Sequence, residues 1–247
     1  MTCLPALPAG CSGASWRPGL AVPARKEEIF ASGREACGAA LALALACDRL
    51  LNPSDEASAP QRDERSWLWV QDRAAMRLGG RPYVPGLPVR LRHRLIHVAA
   101  EKPQDALFAL EEGLRCPGLA FVIGEVAGNP RALNFTASRR LAVAAERHGV
   151  PLFLVRIDAE RDPGAARMRW AVQSAASPPP RWNLQAPGVP SWRAELFRAR
   201  VHKPGEWILR DDGGSLIASV RPAAAPDHDV VAGQSGDRSL AGQAGAK

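Results

Sequence analysis

The feature that most restricts how this chain can fold is a succession of short β-like runs separated by helical patterns. The runs are Glu28-Ile29-Phe30, Trp67-Leu68-Trp69-Val70, Leu95-Ile96-His97-Val98, Leu119 to Ile123 and Leu152 to Ile157. Strands in alternation with helices build a parallel sheet covered by helices, because each parallel connection must cross back over the sheet. A helix is predicted from about Arg34 to Leu51. Lys102-Pro103-Gln104-Asp105 opens another, whose Leu107, Leu110 and Leu114 recur at three and four residues and so share one buried face. A third runs from about Thr136 to His148 and stops at Gly149, a residue suited to the left-handed position after a helix, with Pro151 reinforcing the stop.

After Ser177 the pattern changes. Trp192 to Val201, Glu206 to Arg210 and Leu216 to Val220, with Asp212-Gly213-Gly214 as a turn signal, predict antiparallel strands. The expected fold is therefore α/β: a mostly parallel sheet flanked by helices, with a small C-terminal antiparallel β extension. A chain of 247 residues, 46% of them hydrophobic, can bury one sizeable core. The expected divisions are a flexible segment 1–24, an α/β core 25–177, a β-rich extension 178–221 and a disordered tail 222–247, the two ends being rich in Pro, Gly and small residues. Asn52 to Arg65, with Pro, Ser and many charges, reads as a surface loop.

The longest apolar stretch, Ala36 to Ala46, is too short to span a bilayer, and the first residues lack a basic region followed by a continuous apolar one. A cytoplasmic location with no membrane partner is expected. Cys3, Cys11, Cys37, Cys47 and Cys116 are scattered without a CxxC pair or a zinc-ligand spacing, which fits a reducing compartment. The net charge of +7 favours an acidic partner such as nucleic acid, and is equally met in proteins that use Arg for solubility.

Glu28-Ile29-Phe30 followed by a helix is the setting of a phosphate loop, but the turn reads Ala31-Ser32-Gly33-Arg34-Glu35-Ala36-Cys37-Gly38. Phosphate binding there needs glycines for backbone N–H groups, a Lys for charge and a Ser or Thr for magnesium. The Lys-Ser/Thr pair is missing, and Glu35 adds charge of the wrong sign. A metal-binding acid is expected at the end of the Leu119 to Ile123 strand, where Gly124 stands instead and Glu125 follows, as a solvated or structural carboxylate or as a recruited ligand. His93 and His97 are four apart in strand-like sequence, with no third ligand, and no GxSxG elbow or Cys-His pairing is present. No catalytic set, metal or cofactor is predicted, and the chain is not expected to be an enzyme.

The basic residues are more distinctive. Arg139 and Arg140, in Thr136-Ala137-Ser138-Arg139-Arg140-Leu141, sit near a helix start and oppose its dipole, so they pair with Glu146 or Glu125 or meet an acidic partner. Arg167, Arg169 and Trp170, then Arg181-Trp182 and Trp192-Arg193, interleave basic and aromatic groups, the materials of a single-strand stacking platform or of ordinary edge packing. Arg139, Arg140, Arg169 and Trp170 form the candidate contact set for a partner or DNA.

Taken in order, several blocks resemble the ImuA family, RecA-like accessory proteins of bacterial inducible mutagenesis. They are Trp67-Leu68-Trp69-Val70, Tyr83-Val84-Pro85-Gly86-Leu87, Ala109-Leu110-Glu111-Glu112-Gly113-Leu114-Arg115, Thr136 to Leu141 with Ala144-Ala145-Glu146, and Arg169-Trp170. The resemblance covers about Lys26 to Val220. Glu28-Ile29-Phe30 is more distantly similar to the strand before RecA's phosphate loop, so that Ala36, Cys37 and Gly38 occupy the places of its Gly-Lys-Thr and Gly124 that of its magnesium-associated Asp. The resemblance implies a RecA-like core with a degenerate phosphate loop and a role in SOS-induced, error-prone translesion synthesis across damaged DNA. It also implies partners: an ImuB-type protein, which resembles a Y-family polymerase, and a dedicated C-family polymerase, with RecA and DNA as further ones. No catalytic residue carries over. Three rival readings are a divergent ATPase using Glu125 and the loop around Gly33, a SulA-like cell-division inhibitor, and a single-stranded DNA-binding module with steeply salt-dependent affinity.

Overall fold

The computed structural model of the chain describes residues 16–18, 26–51 and 63–220. The expected flexible ends and the interior of the 52–65 loop lie outside the described residues, apart from Trp16 to Pro18 in the first of them. Trp16 is buried against Trp170 and Trp207, with ring centroids 4.7 and 5.4 Å away.

Among the described residues nine strands form one sheet: β1 (Lys26–Ala31), β2 (Ser66–Asp72), β3 (Leu95–Ala100), β4 (Leu119–Ala127), β5 (Leu152–Ile157), β6 (Met168–Ser174), β7 (Ser191–Ala199), β8 (Gly205–Asp212) and β9 (Ser215–Val220). Their order is β3-β2-β4-β5-β1-β6-β7-β8-β9. The pairs from β3 across to β6 are parallel, and those from β6 to β9 are antiparallel. This is the α/β class read from the sequence, with the antiparallel strands continuing the parallel sheet.

Helix α1 (Cys37–Leu51) covers one face, burying Gly38, Leu41, Ala42, Leu45 and Ala46 at helical spacing. Its small residues let it lie close to the sheet: a Cβ on Gly38 would meet Ala31 Cβ at 2.7 Å and Val155 Cγ1 at 2.8 Å. Leu216 N–H donates to Asp48 Oδ1 (3.2 Å), tying β9 to the same helix. Short helices α2 (Arg73–Gly79) and α3 (Val89–Arg92), with a 3-10 turn at Val84–Gly86 between them, follow β2. Asp72 caps α2 by accepting from Ala75 N–H (2.7 Å). The other face carries α4 (Pro103–Leu114) and α5 (Phe135–His148), packed on each other. Asn134 caps α5 by accepting from Ala137 N–H (2.9 Å), and Gly149 ends it at φ 71°.

Three local readings are corrected. Helix α1 begins at Cys37, not Arg34, because the preceding residues are bound elsewhere: Gly33 N–H donates to Asp158 Oδ1 (2.8 Å) and the Glu35 carboxylate accepts from Ser174 N–H (2.7 Å). Strand β4 runs on to Ala127, so Gly124 and Glu125 lie inside it, beside Val70 and Gln71 of β2. His93 caps the end of α3 and only His97 lies in a strand, β3, so the strand-like reading of the pair holds for His97 alone. No helix among the described residues is long and apolar enough to cross a membrane.

Candidate functional site

Strand β1 alternates its side chains across the sheet. Glu27 and Ile29 face α1, where the Glu27 carboxylate accepts from Arg49 (2.6 Å) and from Trp170 Nε1 (2.9 Å). Lys26 and Glu28 face α5 and form a buried charged cluster. The Lys26 ammonium donates to Glu28 Oε1 (3.0 Å), Ser138 Oγ (2.6 Å) and the Ser138 carbonyl (3.2 Å), and Arg169 Nε donates to Glu28 Oε2 (2.9 Å). Burial works to raise the Glu28 carboxyl, but the Lys26 ammonium, Arg169 and Arg156 outweigh it and hold the group below the usual carboxylate range.

This cluster fixes the segment that joins β5 to β6. Ser138 Oγ accepts from Ala165 N–H (3.0 Å), Arg169 Nη2 donates to the Asp162 carbonyl (2.6 Å), and Gly164 passes so near Glu28 that a Cβ there would lie 3.0 Å from its carboxylate. The guanidinium of Arg161 sits 4.2 Å from the Phe197 ring centroid.

The segment so held forms one wall of a groove of about 710 Å³ whose other wall is α5. Phe135, Arg139 and Val143 line α5 at four-residue intervals, and Phe135 and Val143 are each 53% exposed. Arg167 enters from the segment before β6, and Arg198 and Arg200 from the end of β7. Arg200 N–H donates to the Arg167 carbonyl (3.0 Å), which joins these two edges. Arg167 is neutralised by Glu146 (2.7 Å), whereas Arg139, Arg198 and Arg200 form no ion pair among the described residues. Three uncompensated guanidinium groups flanking two exposed apolar side chains suit an acidic, amphipathic partner segment.

The candidate contact set is therefore divided. Arg139 lies in the groove. Arg140 is turned to α4, where it pairs with Glu111 (2.9 Å), so the mate is neither Glu146 nor Glu125. Arg169 and Trp170 are 2% and 0% exposed and are withdrawn as surface contacts. The physical reason is that both side chains are used inside the fold: Arg169 shares Glu28 with Lys26, and the Trp170 indole N–H donates to Glu27, which Arg49 neutralises. Arg198, Arg200 and Phe135 are groove residues not singled out in the sequence. Arg198 and Arg200 straddle the end of a strand, and only the pairing of β7 with β6 brings them to α5.

The turn between β1 and α1 holds the degenerate positions. Ala36 precedes the helix, Cys37 opens it and Gly38 is packed against β1 and β5. The carboxylates of Asp158 and Glu35 are bound to backbone N–H groups at Gly33 and Ser174, and Leu78 of α2 stands over Gly33. Burial, with the hydrogen bond that the thiol donates to the Glu35 carboxylate, pushes Cys37 up to about 12. Glu125 is buried and neither solvated nor at a strand end. Its Oε1 accepts from Trp69 Nε1 (2.6 Å) and Gln71 Nε2 (3.1 Å), and His97 Nε2 contacts Gln71 Oε1 at 2.9 Å. Burial drives the Glu125 carboxyl up to about 7 against those hydrogen bonds. No group of three His, Cys, Asp or Glu among the described residues is placed to hold a metal ion.

No family model matches the chain. Protein ImuA of Caulobacter vibrioides, in each of two strains, is 34% identical over 190 residues, covering 69% of this chain and 71% of that protein.

Proposed function

The chain belongs to the ImuA family, and from that premise we propose that it is a cytoplasmic, non-catalytic accessory protein of SOS-induced, error-prone translesion synthesis, with a RecA-like core. In this reading it acts with an ImuB-type protein and a C-family polymerase, and RecA and DNA are further contacts. The observation that carries the proposal is the groove beside α5, in which Arg139, Arg198 and Arg200 surround exposed Phe135 and Val143. An adaptor needs a surface with desolvatable apolar anchors and unpaired charge to set orientation, and this groove supplies both.

The β1–α1 turn supports an adaptor over a divergent ATPase. An incoming phosphate would meet two carboxylates already bound to backbone N–H groups, and the helix start is pressed too closely on β1 and β5 to carry a Thr at position 38. Glu125 is committed to Trp69 and Gln71.

The test is direct binding of the purified full chain to the purified ImuB-type protein, with nuclease present, for wild type and for the triple variant R139E/R198E/R200E. The expected result is nuclease-resistant binding, weakened at least about tenfold by the charge reversals while the circular dichroism spectrum and melting temperature hold. Absence of binding by the wild type overturns the accessory role. Unchanged binding by the triple variant overturns the groove as its site.

A further inference from the structure

The chain has seven tryptophans, and six of them, Trp16, Trp67, Trp69, Trp170, Trp192 and Trp207, are at most 6% exposed. Trp182 is 82% exposed, and Leu184, two residues on, is 76% exposed. A fold that withdraws every other indole from water leaves this one standing out on the connection between β6 and β7. Isolated exposed apolar residues are ordinary, but a Trp and a Leu this exposed, two residues apart on one connection, are not.

The tip is held in place from below. Ala175 N–H donates to the Ser191 carbonyl (3.0 Å) and Ser177 Oγ to the Val189 carbonyl (2.6 Å), closing the base, where Gly188 is backed onto the Pro178 carbonyl with no room for a Cβ. Above this, Asn183 N–H donates to the Pro180 carbonyl (3.1 Å), Ala186 N–H to the Asn183 carbonyl (3.1 Å) and Gln185 N–H to Asn183 Oδ1 (3.0 Å). Pro178, Pro179, Pro180, Pro187 and Pro190 restrict the backbone further. A tip ordered before it binds loses little conformational freedom on docking.

We infer that the Trp182–Leu184 tip is a second docking element, which seats in an apolar pocket of a protein partner with a carboxylate at the rim to meet Arg181. The inference rests on the accessory reading above. A protein is favoured over nucleic acid because the tip offers two apolar side chains and one cation. The nearby Arg193 already faces Glu206 at 3.5 Å, and a polyanion is held through several phosphate contacts at once. Trp and Arg are also the side chains most enriched among dominant interface anchors. The tip leaves the sheet after Ser174, whereas the groove wall enters it before Met168, so the seven residues of β6 separate the two surfaces by roughly 20 Å.

The experiment uses the full chain labelled with 5-fluorotryptophan, its Trp182 fluorine resonance assigned with W182F, titrated with the purified ImuB-type protein and, separately, with an oligothymidylate. The expected result is displacement of the Trp182 resonance by the protein, and about 30-fold or greater weakening of binding by W182A with a smaller loss for L184A. Melting temperature should be unchanged, because both side chains are largely exposed. Intact binding with an unmoved Trp182 resonance overturns this inference and leaves the accessory reading standing. Displacement by the oligothymidylate alone overturns the choice of a protein partner. Absence of any binding by the ImuB-type protein overturns the accessory reading and this inference with it.

Discussion

Replacing Glu125 by Gln should stabilise the protein, and by more at high pH. The carboxyl titrates at about 7 in the folded chain and near 4.5 when unfolded. Between those values the folded state keeps a proton that the unfolded state has released, so stability falls as pH rises through this window. Linkage puts the penalty at about 3.5 kcal/mol at pH 8 and about 1.5 kcal/mol at pH 5.5, a loss of roughly 2 kcal/mol for this one group. Gln keeps an acceptor for Trp69 Nε1 and Gln71 Nε2 and carries no charge to desolvate. Urea denaturation at both pH values should therefore find E125Q more stable than wild type, with the gap widening by roughly 2 kcal/mol from pH 5.5 to pH 8. Parallel pH dependences for the two proteins, or a destabilised E125Q at pH 8, would refute the reasoning.

Glu28→Ala leaves Lys26 and Arg169 buried without their counter-charge, and should cost about 3–5 kcal/mol in melting or denaturant measurements. Because Glu28 is held below its ordinary value, its contribution is present at neutral pH and is lost as pH falls through the lowered value, so the gap to wild type should narrow in acid. Gly124→Asp would place a Cβ 2.9 Å from both Leu110 methyls and 3.1 Å from Leu154 Cδ1, and a carboxylate beyond it. A loss above about 3 kcal/mol is expected, read by the same denaturation assay. Native-state alkylation with iodoacetamide at pH 8, followed by peptide mapping, should mark Cys116 and spare the buried Cys37 and Cys47 until denaturant is added.

Much of the sheet was legible because strand and helix periods are local. Leu107, Leu110 and Leu114 predicted the buried face of α4, and Gly149 with Pro151 marked the end of α5. The short helices α2 and α3 and the strand β6 were not read. Helix α2 buries only Ala75 and so lacks the stripe that announces a helix. In β6 the alternation of Met168, Trp170 and Val172 was present, but Arg169 between them looked like surface. Its partner Glu28 lies 141 residues away, a distance no window over the sequence spans. The groove was half visible for the same reason: Arg139 stood out beside a helix start, while Arg198 and Arg200 acquire meaning only from the pairing of β7 with β6.

The place of β1 in the sheet also sets a timetable. Among the described strands it comes earliest in the sequence, yet its neighbours are residues 152–157 and 168–171. At roughly 5–20 residues per second, a ribosome needs on the order of ten seconds to supply them after β1 has emerged. Throughout that interval the nascent chain presents an unpaired strand, the kind of segment that recruits other strands and aggregates. Lys26, Glu27 and Glu28 are half of its residues. Before they are neutralised inside the finished sheet, these charges keep the waiting strand hydrated, the gatekeeping that exposed hydrophobic strands require.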